Sequence, residues 1–137
     1  MRIIFFILSI LILTNFCSDS ITETESFNLF DDIIINYNQK LVNDDENISI
    51  QFTELVGDSR CPIDAICVWE GDAEVKFKFS KNNSFEDFTL HTSGNYFSAD
   101  TLLFGYRIEL VEVFPYPQIN IEIPSKDYKV KIKIEKE

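Results

Sequence analysis

Histidine and tryptophan occur once each in the 137 residues, and glycine and proline only four times each. Closed zinc sites need about four nitrogen or sulfur ligands, and beyond residue 17 the chain offers only two cysteines and one histidine, Cys61, Cys67 and His91. Four scattered glycines form no phosphate-cradling loop. Basic charge is also short, with 12 Lys and Arg against 23 Asp and Glu and a formal net charge of −11. That balance argues against nucleic acid and against direct adsorption to an anionic bilayer, both of which require basic patches. No Ser or Cys lies in a recognisable nucleophile motif, so neither an enzyme nor a cofactor or metal protein is expected. His91, at the end of an alternating segment, reads as a surface or turn residue.

Long apolar runs are confined to one place. Ile3 to Leu13 is interrupted only by Ser9 and follows the positive Arg2. It is too short to span a bilayer as a stable helix and reads as the core of an export signal. Two cuts are open: before Cys17, leaving a lipidated N-terminal cysteine, or before Ile21. Cys17 ends the apolar run and opens a polar stretch from Ser18 to Glu25, which favours lipidation, although Phe16 stands where a lipobox has a small residue. The expected organisation is a signal region at 1–17, a flexible tether at 18–30 and a single β domain at 31–137. Either cut leaves Cys61 and Cys67 as the one remaining pair in an oxidising compartment, where they are expected to bond.

Beyond the tether, apolar residues recur at period two in short runs, the strand signal rather than the helix one. Seven strands are expected, around Ile33–Tyr37, Ile48–Phe52, Val75–Phe79, Phe88–Leu90, Tyr106–Leu110, Ile119–Ile123 and Tyr128–Ile134. Asn43–Asn47, Lys81–Ser84, Thr92–Asn95 and Pro124–Asp127 carry turn chemistry. Residues 98–104 could form one helical turn. The parity slip between Leu110 and Val111 predicts a bulge that turns both sets inward, and Pro115 and Pro117 should end that strand. Lys129, Lys131 and Lys133 share a face, expected to pair with Glu or Asp across neighbouring strands and to guard an edge. This pattern in one domain gives an all-β fold, an antiparallel β-sandwich, with a small β-barrel as the alternative.

The run from Asp58 to Asp72 holds two of the cysteines, the only tryptophan and a cluster of carboxylates. A seven-residue disulfide ring contributes about 2–2.5 kcal/mol in the chain-entropy model. Redox use is disfavoured, because reactive pairs are closer in sequence and more electropositively placed. Trp69 is expected to plug the core beside the ring. The acids match no calcium-loop spacing. As a contact surface, Asp58, Arg60, Pro62, Ile63, Asp64, Glu70 and Asp72 form a loop with an acidic rim.

Asp58-Ser59-Arg60-Cys61-Pro62, Cys67-Val68-Trp69-Glu70-Gly71, the run Gly105 to Leu110 and Pro115-Tyr116-Pro117 resemble an uncharacterised family of small exported bacterial proteins, many of them predicted lipoproteins. The resemblance implies an exported β-rich domain and carries no activity with it. The expected function is an exported, lipid-anchored accessory or binding module of the cell envelope, with a protein or small molecule as its unknown partner. The alternative is a protease inhibitor presenting the Cys61–Cys67 loop.

Overall fold

The computed structural model describes residues 25–95 and 97–137. The expected signal region, Cys17 and the first part of the tether lie outside these residues. Nine strands are present: β1 Glu25–Ser26, β2 Asp32–Asn36, β3 Lys40–Asn43, β4 Ile48–Asp58, β5 Ala73–Lys81, β6 Ser84–His91, β7 Asp100–Leu103, β8 Tyr106–Phe114 and β9 Lys129–Lys136, with one 3-10 turn at Ser125–Asp127. They form a five-stranded sheet in the order β1-β3-β4-β5-β6 and a four-stranded sheet in the order β2-β9-β8-β7. All pairings are antiparallel except β1 with β3. The two sheets pack face to face as a β-sandwich, not a closed barrel.

The alternation read in the sequence is what fills the interior. Ile50, Phe52, Val75, Phe77, Phe79 and Leu90 from one sheet meet Ile35, Tyr106, Ile108, Val113, Val130, Ile132 and Ile134 from the other, all fully buried. Because side chains alternate faces, a one-residue slip in any strand would turn its inward set to water, so burial fixes the register. Aromatic rings carry much of the contact: Tyr37 meets Phe52 edge-on at 5.4 Å, and Tyr106 meets Phe79 at 5.8 Å.

Several expectations are corrected. Ile119–Ile123 is not a strand. Asn120 adopts a left-handed φ of 62° and Ile119 and Ile121 are exposed, an arrangement that breaks a strand inside a segment already hemmed by Pro117 and Pro124. Residues 100–103 form β7 instead of a helical turn, and β3 was not anticipated. The last part of the tether segment belongs to the fold, for β1 pairs with β3 and Phe27 is buried at 7% exposure. The bulge is present between Leu110 and Glu112, but it returns only Val113 to the core and leaves Val111 outside. Of the Lys face, Lys131 pairs across strands with Glu112 as expected, whereas Lys133 pairs with Glu135 on its own strand and Lys129 lies over the Phe114 ring. The strand of this face, however, is interior, between β2 and β8, and guards no edge.

One end of the sandwich gathers the residues of interest. Asp58 at the end of β4 pairs with Ala73 at the start of β5, and Glu74 of β5 pairs with His91 at the end of β6. The end of β8 reaches the same place through Arg60, which bonds the Val113 carbonyl.

Candidate functional site

The segment 59–72 closes the β4–β5 hairpin. Its base continues the ladder: the Ser59 N–H donates to the Asp72 carbonyl at 2.7 Å and the Cys61 N–H to the Glu70 carbonyl at 2.8 Å. Above them Cys61 and Cys67 are joined by a disulfide, with Cα atoms 6.0 Å apart. The two limbs can close this tightly because Gly71 has a φ of 73° and no side chain; a Cβ there would lie 2.0 Å from the Ser59 carbonyl oxygen.

Arg60 fastens the loop to the opposite sheet. Its Nε and Nη2 donate to Asp58 at 2.9 and 2.7 Å, Nη1 donates to the Val113 carbonyl at 2.5 Å, and Nη2 also reaches the Pro115 carbonyl at 2.9 Å. The guanidinium lies 4.5 Å from the centre of the Tyr116 ring and the residue is 6% exposed. The Tyr128 hydroxyl donates to the same Asp58 carboxylate at 3.2 Å. Burial, followed by the Asp58 charge and hydrogen bond, pushes the Tyr128 pKa up, which keeps that hydroxyl protonated. Each nitrogen of this fork donates to an acceptor in rigid geometry, which is the setting where Arg outperforms Lys.

A second polar cluster joins the loop to β6. Asp72 accepts from the His91 ring at 2.6 Å, from the Ser93 N–H at 2.9 Å and from the Thr92 hydroxyl at 3.2 Å. The His91 ring stacks on Phe97 with centroids 4.5 Å apart. Glu70 accepts from the Ser93 hydroxyl at 3.1 Å and from the Asn95 amide at 3.3 Å. Burial raises the Asp72 pKa, but the hydrogen bonds from His91, Ser93 and Thr92 outweigh it and hold the carboxyl below its ordinary 3.8. A carboxyl lowered on folding stabilises the fold fully above its unfolded pKa and loses that contribution as pH falls through the folded one. Asp72→Asn should therefore be less stable than the wild type at neutral pH, with the gap closing below about pH 4. Urea midpoints at neutral and acid pH measure this; a gap unchanged at the lowest pH would contradict the lowered carboxyl.

The tip is apolar and lies in water. Ile66 and Val68 are 104% and 105% exposed, as open as in an extended chain, and Trp69 is 71% exposed. Trp69 does not plug the core. The loop begins where the β4–β5 ladder stops, and the neighbouring inward positions are taken by Ala73 and Val75. Among the described residues, no hydrogen bond engages the main-chain N–H or C=O groups of Ile66, Cys67, Val68 or Trp69. Because Trp69 is the only tryptophan, native emission is expected at the wavelength of a hydrated indole and open to quenching. Trp69→Ala should then change stability by no more than about 0.5 kcal/mol. Blue-shifted native emission would contradict the exposed position.

The anticipated contact residues thus divide. Ile63 is exposed, and its N–H donates to the Pro117 carbonyl at 3.0 Å. Pro62 accepts from the Ala65 N–H at 3.0 Å, and Asp64 accepts from the Ile119 N–H at 2.9 Å. Asp58 and Arg60 are interior latch residues and leave the contact surface; Glu70 and Asp72 brace the loop from the side facing β6. Ile66, Val68 and Trp69 replace them as the outward surface. His91 is no isolated turn residue but the partner of Asp72, a pairing across 19 positions that no local spacing reveals. Among the described residues, no three His, Cys, Asp or Glu side chains converge as metal ligands would.

Charge around the tip is one-sided. Segments 59–72, 92–99 and 115–123 contain a single basic residue, the buried Arg60, alongside Asp64, Glu70, Asp72 and Glu122. Between the loop and the β8 end lies a cleft of about 270 Å³ lined by Arg60, Cys61, Glu70, Gly71, Thr92 and Tyr116. A larger open hollow of about 480 Å³ lies around the turns at Asp44–Asn47 and Asn82–Asn83, away from the loop. Comparison with known proteins finds no matching family, no matching curated protein and no matching solved structure.

Proposed function

We propose that the protein is an exported, lipid-anchored binding module of the cell envelope that works without catalysis and grips a protein partner through the tip of its cystine loop. The observation that carries this reading is the exposure of Ile66, Val68 and Trp69 on a loop braced by a disulfide, an arginine latch and two carboxylates. Apolar side chains held in water cost solvation that only a partner recovers, and clustered exposed apolar residues mark interaction sites. The bracing lowers the ordering cost of association. A convex apolar surface suits a protein better than a small molecule, which is held in a concave pocket. Support for anchoring comes from the Ile3–Leu13 apolar run followed by Cys17, and the acidic balance argues against nucleic acid.

The reading is tested in bacterial cells expressing the full-length precursor with a photo-crosslinking residue at Val68 or, as a control, at Lys133. Discrete protein adducts from Val68 but not from Lys133 are expected. Cys17→Ser should abolish incorporation of labelled fatty acid and release the protein from the membrane fraction. Equal adducts from both positions would refute the tip as the contact surface, and unlabelled, soluble wild-type protein would refute the anchor.

A further inference from the structure

We infer that the tip occupies the substrate cleft of a serine protease with an apolar primary pocket, and that Trp69 is the side chain that fills the pocket. The inference rests on the binding-module reading and names its partner.

The free main chain is the first reason. From Ile66 to Trp69 the backbone donors and acceptors have no partner among the described residues, while the side chains of Ile66, Val68 and Trp69 stand out from it. Such a segment is suited to recognition by strand addition, in which main-chain hydrogen bonds give affinity and side-chain pockets give specificity. Protease clefts read peptides in this way, with a primary pocket that sets the preferred residue.

The second reason is how the segment is held. Two residues before Trp69, Cys67 is tied to Cys61 by the disulfide, and one residue after it the Glu70 carbonyl accepts the Cys61 N–H at 2.8 Å. The Glu70 carboxylate is anchored again by Ser93 and Asn95. The crest is therefore free while both flanks are fixed, which removes much of the ordering cost a linear peptide meets in the same cleft. Both flanks would also stay attached to the body of the protein if the crest were cut.

The third reason is side-chain chemistry. The tip and its neighbours at 92–99 and 115–123 offer no exposed basic residue, so a pocket with an acidic floor has nothing to pair with. Large apolar anchors near the centre of an interface dominate its energy, with tryptophan prominent among them. Trp69 is the largest side chain of the crest, and Asp64 and Glu70, which flank it on the loop itself, favour a cleft bordered by basic groups.

The test uses the full-length exported protein with its disulfide intact against chymotrypsin and subtilisin, which have apolar primary pockets, and trypsin, which has an acidic one. Competitive inhibition of at least one apolar-pocket protease is expected, weakened about 100-fold by Trp69→Ala and unchanged by Glu86→Ala on the distant β6 edge. Trp69→Arg should transfer inhibition to trypsin, a change that a merely structural role would not produce. No inhibition by about 100 μM protein, cleavage as an ordinary substrate, or inhibition undiminished by Trp69→Ala would each overturn the inference. Discrete crosslinks from Val68 without inhibition would overturn it while sparing the binding-module reading; absence of both would remove the two together.

Discussion

Arg60→Ala is expected to lower the unfolding free energy by about 3–5 kcal/mol, the usual effect of removing one partner of a buried ion pair. The cost is not the attraction alone. Asp58, whose side chain is 7% exposed, would keep its charge position without the guanidinium, and the Val113 and Pro115 carbonyls would lose their donors. Unpaired buried acceptors cost more than the bonds contribute when made. Arg60→Lys should recover little, because a single ammonium cannot meet Asp58 and two carbonyls in the planar geometry of the fork. Asp58→Asn with Arg60→Met, which removes both charges and retains apolar volume, should be milder than Arg60→Ala. Denaturant unfolding of the three variants decides this. A loss below about 1 kcal/mol for Arg60→Ala would show that the latch is dispensable.

The sandwich was legible where a strand carries several inward residues at period two. β5 shows Val75, Phe77 and Phe79, and β9 shows Val130, Ile132 and Ile134, each a set fully buried in the fold. Legibility failed where pairing outweighs pattern. β3 has Leu41 as its one buried hydrophobic residue, and β1 is two residues held by β3 alone. Neither contains enough alternation to be read locally. Ile119–Ile123 is the converse, a correct alternation without a partner strand. The loop was legible as a closed ring because its two cysteines are a local signal, whereas the role of Gly71 depends on the limb opposite it. The fate of Trp69 was not, because whether a lone aromatic points inward depends on where the opposing sheet ends. Asp58 and Arg60 looked like surface charges for the same reason: the acceptors that complete their burial, Val113 and Pro115, lie more than fifty positions away.

Gly71→Ala is expected to cost about 3–5 kcal/mol, unusually much for adding one methyl group. Two effects combine. The residue holds a left-handed φ of 73°, which costs an L-residue with a Cβ about 1–2 kcal/mol. The new methyl would also stand 2.0 Å from the Ser59 carbonyl oxygen and 2.8 Å from the Arg60 Cα. Both are backbone atoms, so relief requires the two limbs of the loop to separate. Separation would loosen the Ser59–Asp72 and Cys61–Glu70 hydrogen bonds and draw Arg60 away from Asp58 and Val113. Gly105 supplies the control. Its φ is 81°, yet a Cβ there meets nothing within 4 Å, so Gly105→Ala should show the conformational cost alone, about 1–2 kcal/mol. The difference between the two variants in denaturant unfolding measures the close approach beneath the loop. If Gly71→Ala is no worse than Gly105→Ala, the limbs are not in contact and the tip is not held as described. If it is far worse, and crosslinking from Val68 fails with it, the rigid base at Gly71 is what keeps Ile66, Val68 and Trp69 in position for a partner.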